Sequence, residues 1–334
     1  MRTFFNSRIN FTRYAWFVLA FLLFVILWGA FVRATGSGAG CGSHWPLCNG
    51  VVVPREPAVE TLIELTHRVT SALSGVLVLI LSGWAFRLFP RGHIVRKAAV
   101  FSTIFIITEG LVGAGLVLFE WVADNQSIAR AVSMAVHLVN TFLLLAAVAL
   151  TAWWAGATTG AGGATHDNYT VQLRGQGRVG WLVIGAAGLL GLLGVSGAVT
   201  ALGDTLFPAG SLSEGISQDF LPTAHFLVRL RVYHPIIAIV TAAYLWFGAQ
   251  AIANARPGIG SLFFSQAIRI LVIIQLLAGV VNILLNVPVW MQLVHLLLAD
   301  LLWIAVVLLG AAALSRPVTT ARPAIAVSTP LAGD

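Results

Sequence analysis

The chain has 334 residues, 58% of them hydrophobic and 9% charged, with a mean hydropathy of +0.92. A soluble domain carries about 25% charged residues, so a water-soluble globule of this length is excluded and an integral membrane protein is expected. The formal net charge of +7 is an orientation signal and makes no case for nucleic-acid binding.

Eight apolar runs reach the ~20 residues needed to cross a hydrocarbon core of about 30 Å. The first, 14–34, is too long for the apolar part of a secretory signal, and no A-x-A-like cleavage site follows it, so it reads as an anchor. It ends in Gly29-Ala30-Phe31-Val32-Arg33-Ala34-Thr35-Gly36. The loop beyond it holds the only two cysteines, Cys41 and Cys48, whose spacing can close a disulfide. The second run, 62–88, carries Glu64-Leu65-Thr66-His67-Arg68, the third, 98–119, carries Glu109-Gly110-Leu111-Val112-Gly113, and the fourth, 129–155, carries His137. Residues 156–178 are rich in Gly, Thr and polar residues and read as a linker. The fifth run, 179–201, ends in Gly197-Ala198-Val199-Thr200-Ala201-Leu202-Gly203. The sixth, 228–252, carries His234-Pro235, the seventh, 265–287, carries Gln275-Leu276-Leu277-Ala278-Gly279, and the eighth, 290–314, carries His295.

These landmarks repeat. The offset is 168 from Gly29 to Gly197, 166 from Glu109 to Gln275, 167 from His67 to His234 and 158 from His137 to His295, the last shortened by a missing loop between runs seven and eight. The expectation is an all-α integral membrane protein of eight transmembrane helices, built as two pseudo-symmetric four-helix bundles about an axis along the membrane normal. The halves are expected at 1–155 and 179–316, with the linker at 156–178 and a tail at 317–334.

An even number of spans puts both termini on one side. If that side is the cytoplasm, it receives Arg2, Arg8, Arg13, Arg87, Arg91, Arg96, Lys97, Arg174, Arg178, Arg256, Arg269, Arg316 and Arg322, which is 13 of the 19 Lys and Arg. The outside receives Arg33, Arg55, Arg68, Arg130, Arg229 and Arg231, with Glu56, Glu60, Glu120, Asp124, Asp204, Glu214 and Asp219. This asymmetry follows the positive-inside rule, and the expected location is the cell membrane, with both termini cytoplasmic. The cysteine loop then faces a compartment that tolerates disulfides.

Of eight histidines, His44, His93 and His166 fall in loops and His225 just before run six. The other four, His67, His137, His234 and His295, lie inside apolar runs, near the outer ends of helices two, four, six and eight. A single intramembrane imidazole can serve as an interhelical hydrogen bond. Four at one depth, two per half and in register with the repeat, point to bound metal. Zinc or copper would want three or four clustered ligands, whereas two facing imidazoles are the axial ligands of a six-coordinate haem, and bundle cores supply such sites. The expected pairs are His67 with His137 and His234 with His295.

Arg33, Arg68, Arg229 and Arg231 lie at the outer boundary, where each could bind a haem propionate bidentately or simply snorkel. Glu64 stands three residues before His67, on the same helix face, where it could orient that ring, move protons or stabilise positive charge on a macrocycle. The matching residue in the second half is Arg231. That difference points to the first half as catalytic and the second as an electron-transfer or structural haem site. Glu109 is a further candidate for proton handling, or is hydrogen-bonded within the bundle. No nucleotide or flavin fingerprint appears.

Taken together, Gly29 through Gly38, the Cys41–Cys48 loop with His44-Trp45-Pro46 inside it, Glu64-x-x-His67-Arg68, His137, His234 and His295 resemble the haem A synthase family. These are membrane enzymes that convert haem O to haem A for cytochrome oxidase. The resemblance covers nearly the whole chain. It implies that His67 and His137 flank haem O as substrate, with Glu64 in catalysis, and that haem B is resident between His234 and His295. The implied reaction oxidises the C8 methyl group of the porphyrin to a formyl group with oxygen from water. It also implies a Cys41–Cys48 disulfide, either redox-active or a loop staple; the loop after run five lacks cysteines, so a redox role rests on the first loop alone. Implied partners are haem O synthase, a farnesyltransferase, as supplier and cytochrome oxidase assembly as recipient, with a homo-oligomer left open. The chief alternative is a non-catalytic bis-histidine membrane cytochrome passing electrons to or from quinone. A transporter is less well matched, since the spans lack paired Gly/Pro interruptions other than His234-Pro235.

Overall fold

The computed structural model describes residues 7–156, 169–171 and 175–317. The helices are α1 (Arg8–Ala34), α2 (Val59–Leu88), α3 (Ile94–Leu118), α4 (Ile128–Gly156), α5 (Gly177–Leu206), the two-turn α6 (Leu212–Asp219), α7 (Phe226–Ala255), α8 (Ile259–Leu284) and α9 (Val289–Leu314). All but α6 are long and apolar enough to cross a membrane, so each expected run has become a helix and the protein is a multi-pass membrane protein.

The helices outrun the apolar stretches because backbone hydrogen bonding continues into the interface, where polar side chains cap it. Ser7 accepts from the Asn10 N–H at 3.3 Å and starts α1. His93 and His225 do the same for α3 and α7, accepting from Val95 N–H at 3.2 Å and Leu227 N–H at 3.4 Å. These two imidazoles are caps. Within α7 the turn Leu230–Val232 is tightened to a 3-10 helix, next to Pro235, whose ring nitrogen has no N–H to give the Arg231 carbonyl.

Helices α1 to α4 form one ring of neighbours, and α5, α7, α8 and α9 repeat it. The halves meet through α1 and α4 against α5 and α9. In a membrane, helices associate through close packing and polar contacts because lipid already satisfies apolar surface. Here Ala149, Ala152 and Ala155 of α4 and Ala305, Ala311 and Ala313 of α9 are buried. Phe142 of α4 stacks on Trp303 of α9 with centroids 4.8 Å apart, and Trp303 Nε1 donates to the Phe142 carbonyl at 2.6 Å. Outward rings such as Phe17, Trp181 and Phe247 stay exposed, as lipid-facing positions allow.

The duplication is written into side-chain bonds as well as hydropathy. Tyr14 Oη of α1 donates to the Leu77 carbonyl of α2 at 3.0 Å, and Tyr244 Oη of α7 donates to the Leu182 carbonyl of α5 at 3.2 Å. The offsets of 168 and 167 equate Tyr14 with Leu182 and Leu77 with Tyr244. The same bond is thus made at the same level, with donor and acceptor helices exchanged.

One feature was not expected from sequence. Tyr169–Val171 pairs antiparallel with Ser315–Pro317, tying the linker to the end of α9. The rest of the linker (157–168 and 172–174) and the tail from 318 lie outside the described residues, as do Arg2, His166, Arg174 and Arg322.

Candidate functional site

His67, His137, His234 and His295 sit on α2, α4, α7 and α9, six to nine residues from each helix's first residue. They share the end of the bundle that carries the Cys41–Cys48 loop. All four are partly buried. Among the described residues no cluster of three or more His, Cys, Asp or Glu could hold a metal ion.

Three rings lie flush against glycines. A Cβ at Gly29 would come within 2.8 Å of His67 Cε1, one at Gly197 within 3.0 Å of His234 Cε1, and one at Gly279 within 3.2 Å of His295 Cε1. Any larger residue would push the ring out of place, so these glycines of the repeated motifs seat the imidazoles. In His67, His137 and His295 the protein encloses Nδ1, without a formed hydrogen bond. That leaves Nε2 for a ligand in His67 and His137, whereas in His295 Nε2 lies against Gln275. Paired imidazoles with backed rings and enclosed Nδ1 atoms fit the axial ligation of haem.

In the first half the surroundings are ionic. Glu64 is 3% exposed. Its Oε1 accepts from Arg68 Nε at 3.0 Å and Nη2 at 2.5 Å, and its Oε2 accepts from the Cys41 N–H at 2.8 Å. Arg68 Nη1 also donates to the carbonyls of His44 and Leu47, at 2.6 and 2.8 Å. Cys41 and Cys48 are disulfide-bonded, with Cα atoms 4.4 Å apart. The Glu64–Arg68 pair therefore clamps the disulfide loop onto α2, one turn from His67.

Deeper in this half, Glu109 of α3 places Oε1 3.4 Å from His137 Nδ1. Its carboxylate is also hydrogen-bonded by Thr141 and by Asn140 Nδ2. In the second half Gln275 takes the matching position, with Nε2 3.2 Å from His295 Nε2. Ser196 Oγ lies 2.9 Å from His234 Nδ1; the residue it matches by the offset of 168 is Trp28, which hydrogen-bonds the Ile63 carbonyl instead.

Arg231 holds the loop over the second half. It pairs with Asp204 at 3.1 Å and Asp219 at 3.8 Å and donates to the Phe207 carbonyl at 3.0 Å. Burial raises the Asp219 carboxyl above its ordinary value, offset in part by Arg231. Arg33 reaches across the halves, donating to the Ala201 carbonyl at 2.6 Å, Thr205 Oγ1 at 2.7 Å and Gln292 Oε1 at 2.8 Å. Arg229 is exposed at the same end.

Sequence reading missed Ser196, because a serine in an apolar helix carries no signal of which way it faces. It also missed Asp300 of α9, fully buried, with neither carboxylate oxygen hydrogen-bonded. A lone acid inside an apolar run was the signal available.

The profile of the COX15-CtaA family, described as cytochrome oxidase assembly protein, matches residues 12–307. A protoheme IX farnesyltransferase of Thermus thermophilus is 53% identical over 304 residues, which is 91% of this chain and 48% of that protein. A heme A synthase of Alkalihalophilus pseudofirmus is 43% identical over 129 residues, 39% of this chain and 41% of that protein. A heme A synthase of Geobacillus kaustophilus is 48% identical over 98 residues, 29% of this chain and 31% of that protein. The chain thus spans about half the length of the Thermus relative.

Proposed function

Because the chain belongs to the COX15-CtaA family of cytochrome oxidase assembly proteins, we propose that it is a haem A synthase, oxidising the C8 methyl group of haem O to a formyl group. The observation that carries this reading is the set of four histidines six to nine residues into α2, α4, α7 and α9, with three of the four rings seated on glycines. His67 and His137 hold haem O in the first half, and His234 and His295 hold haem B in the second. The disulfide end faces outward across the cell membrane. A haem O synthase supplies the substrate, and cytochrome oxidase assembly receives the product.

Turning a methyl into a formyl group with oxygen from one water removes four electrons and four protons. A bound haem iron would pass these electrons one at a time to an external oxidant, a task that side chains cannot perform. The protein supplies position and proton handling. Glu64, enclosed and one turn from His67, takes up protons at its carboxylate from the reacting edge of the substrate. Arg68 and the Cys41 N–H fix where that carboxylate stands. Arg229, with an exposed guanidinium, is the arginine placed to meet a propionate, since Arg33, Arg68 and Arg231 are engaged with protein acceptors.

The test is incubation of the purified protein with haem O, followed by extraction of the pigment. Formyl haem is expected from the wild type and none from Glu64→Gln. Recovery of unchanged haem O from the wild type, with an oxidant present, would leave only the bis-histidine cytochrome.

A further inference from the structure

The proposed catalysis leaves the half-buried Glu109 unused. Glu109 lies in the membrane-spanning part of α3, where a carboxylate is costly unless it has a function or a partner. Its partners are specific. Asn140 donates to it from Nδ2, and the orientation of that amide is fixed, because Oδ1 accepts from Thr108 Oγ1 at 2.6 Å while Nδ2 also donates to the Phe105 carbonyl at 2.9 Å. The Thr141 hydroxyl lies between Glu109 Oε1 and the His137 carbonyl. So held, Glu109 presents Oε1 at 3.4 Å from His137 Nδ1, a nitrogen the protein encloses and gives no formed hydrogen bond. Only a few tenths of an ångström separate this from an ordinary N–H···O contact of roughly 2.7–3.2 Å.

We propose that Glu109 is a positioning residue for His137: its carboxylate takes the Nδ1–H, fixing the tautomer that turns Nε2 toward the haem of the first half. The inference rests on the haem reading of the His67–His137 couple. A carboxylate behind a ligating imidazole fixes ring orientation and raises ligand basicity. The second half lacks this device. Gln275 is neutral, its Nε2 lies near His295 Nε2 and the His295 carbonyl, both at 3.2 Å, and His295 Nδ1 has no hydrogen-bond partner. The two couples are therefore unequal, with the more basic ligand in the first half, where it stabilises ferric over ferrous iron and lowers the midpoint potential.

The test uses the full chain in lipid nanodiscs, titrated with haem O and followed by spectroelectrochemistry. Glu109→Gln is expected to weaken haem O binding about 10- to 100-fold, to raise the midpoint potential of that haem, and to leave the second-half haem unchanged. Should Glu109→Gln fail to fold, Thr141→Val loosens the carboxylate while keeping it, and a smaller rise in potential is expected. Wild-type affinity and potential in Glu109→Gln, or no shift in Thr141→Val, overturns the proposal while leaving the haem site standing. A wild type that takes up no haem O overturns both.

Discussion

The two halves share a scaffold and differ in what surrounds their histidines. The α1–α2 bond from Tyr14 to Leu77 returns as the bond from Tyr244 to Leu182 with its direction reversed, and the Gly29–His67 seat returns as Gly197–His234. By contrast Glu64 is matched by Arg231 and Glu109 by Gln275. Both members of the first pair hold a loop over the site. Glu64 does so with Arg68 and a backbone N–H, and Arg231 does so with Asp204 and Asp219. Duplication thus preserved backbone contacts and ring seats, where volume allows few substitutes, and let polar partners diverge, where a loop can be pinned by either sign of charge.

Removing these pins should separate the halves. Arg231→Ala strands Asp204 beside a second carboxylate, and the loss of one partner from a largely buried pair costs about 3–5 kcal/mol. A correspondingly lower midpoint of chemical unfolding is expected. Glu64→Gln should cost less, because its amide oxygen can still accept one bond and Arg68 keeps two carbonyl acceptors; equal losses would show that the two clamps are not alternatives for one task. The smallest effect belongs to the shared bond. Tyr14→Phe and Tyr244→Phe should each cost about 0.5–1.5 kcal/mol, the net worth of one hydrogen bond, and by nearly equal amounts. A large loss in one alone would show that the exchange of donor and acceptor is accidental.

Much of this was legible in the sequence. A span needs only ~20 apolar residues, so all eight helices could be read without knowledge of their neighbours. That four histidines fall six to nine residues into α2, α4, α7 and α9 was also legible, from register alone. What register does not give is the rotation of each helix. Arg33 looked like any interfacial arginine, yet its guanidinium is committed to α5 and α9, on the far side of the pseudo-axis. Ser196 became a partner of His234 only once α5 turned that face toward α7. The strand pairing of Tyr169–Val171 with Ser315–Pro317 joins segments far apart in sequence, neither of which is long enough to announce a strand.

The division of labour between the halves is tested most directly by pyridine haemochrome analysis of the purified wild type beside His67→Ala and His234→Ala. The expected result is that His234→Ala loses the resident haem B, whereas His67→Ala keeps much of it and yields no formyl haem. Equal loss of all haem in both variants would contradict separate sites with separate roles.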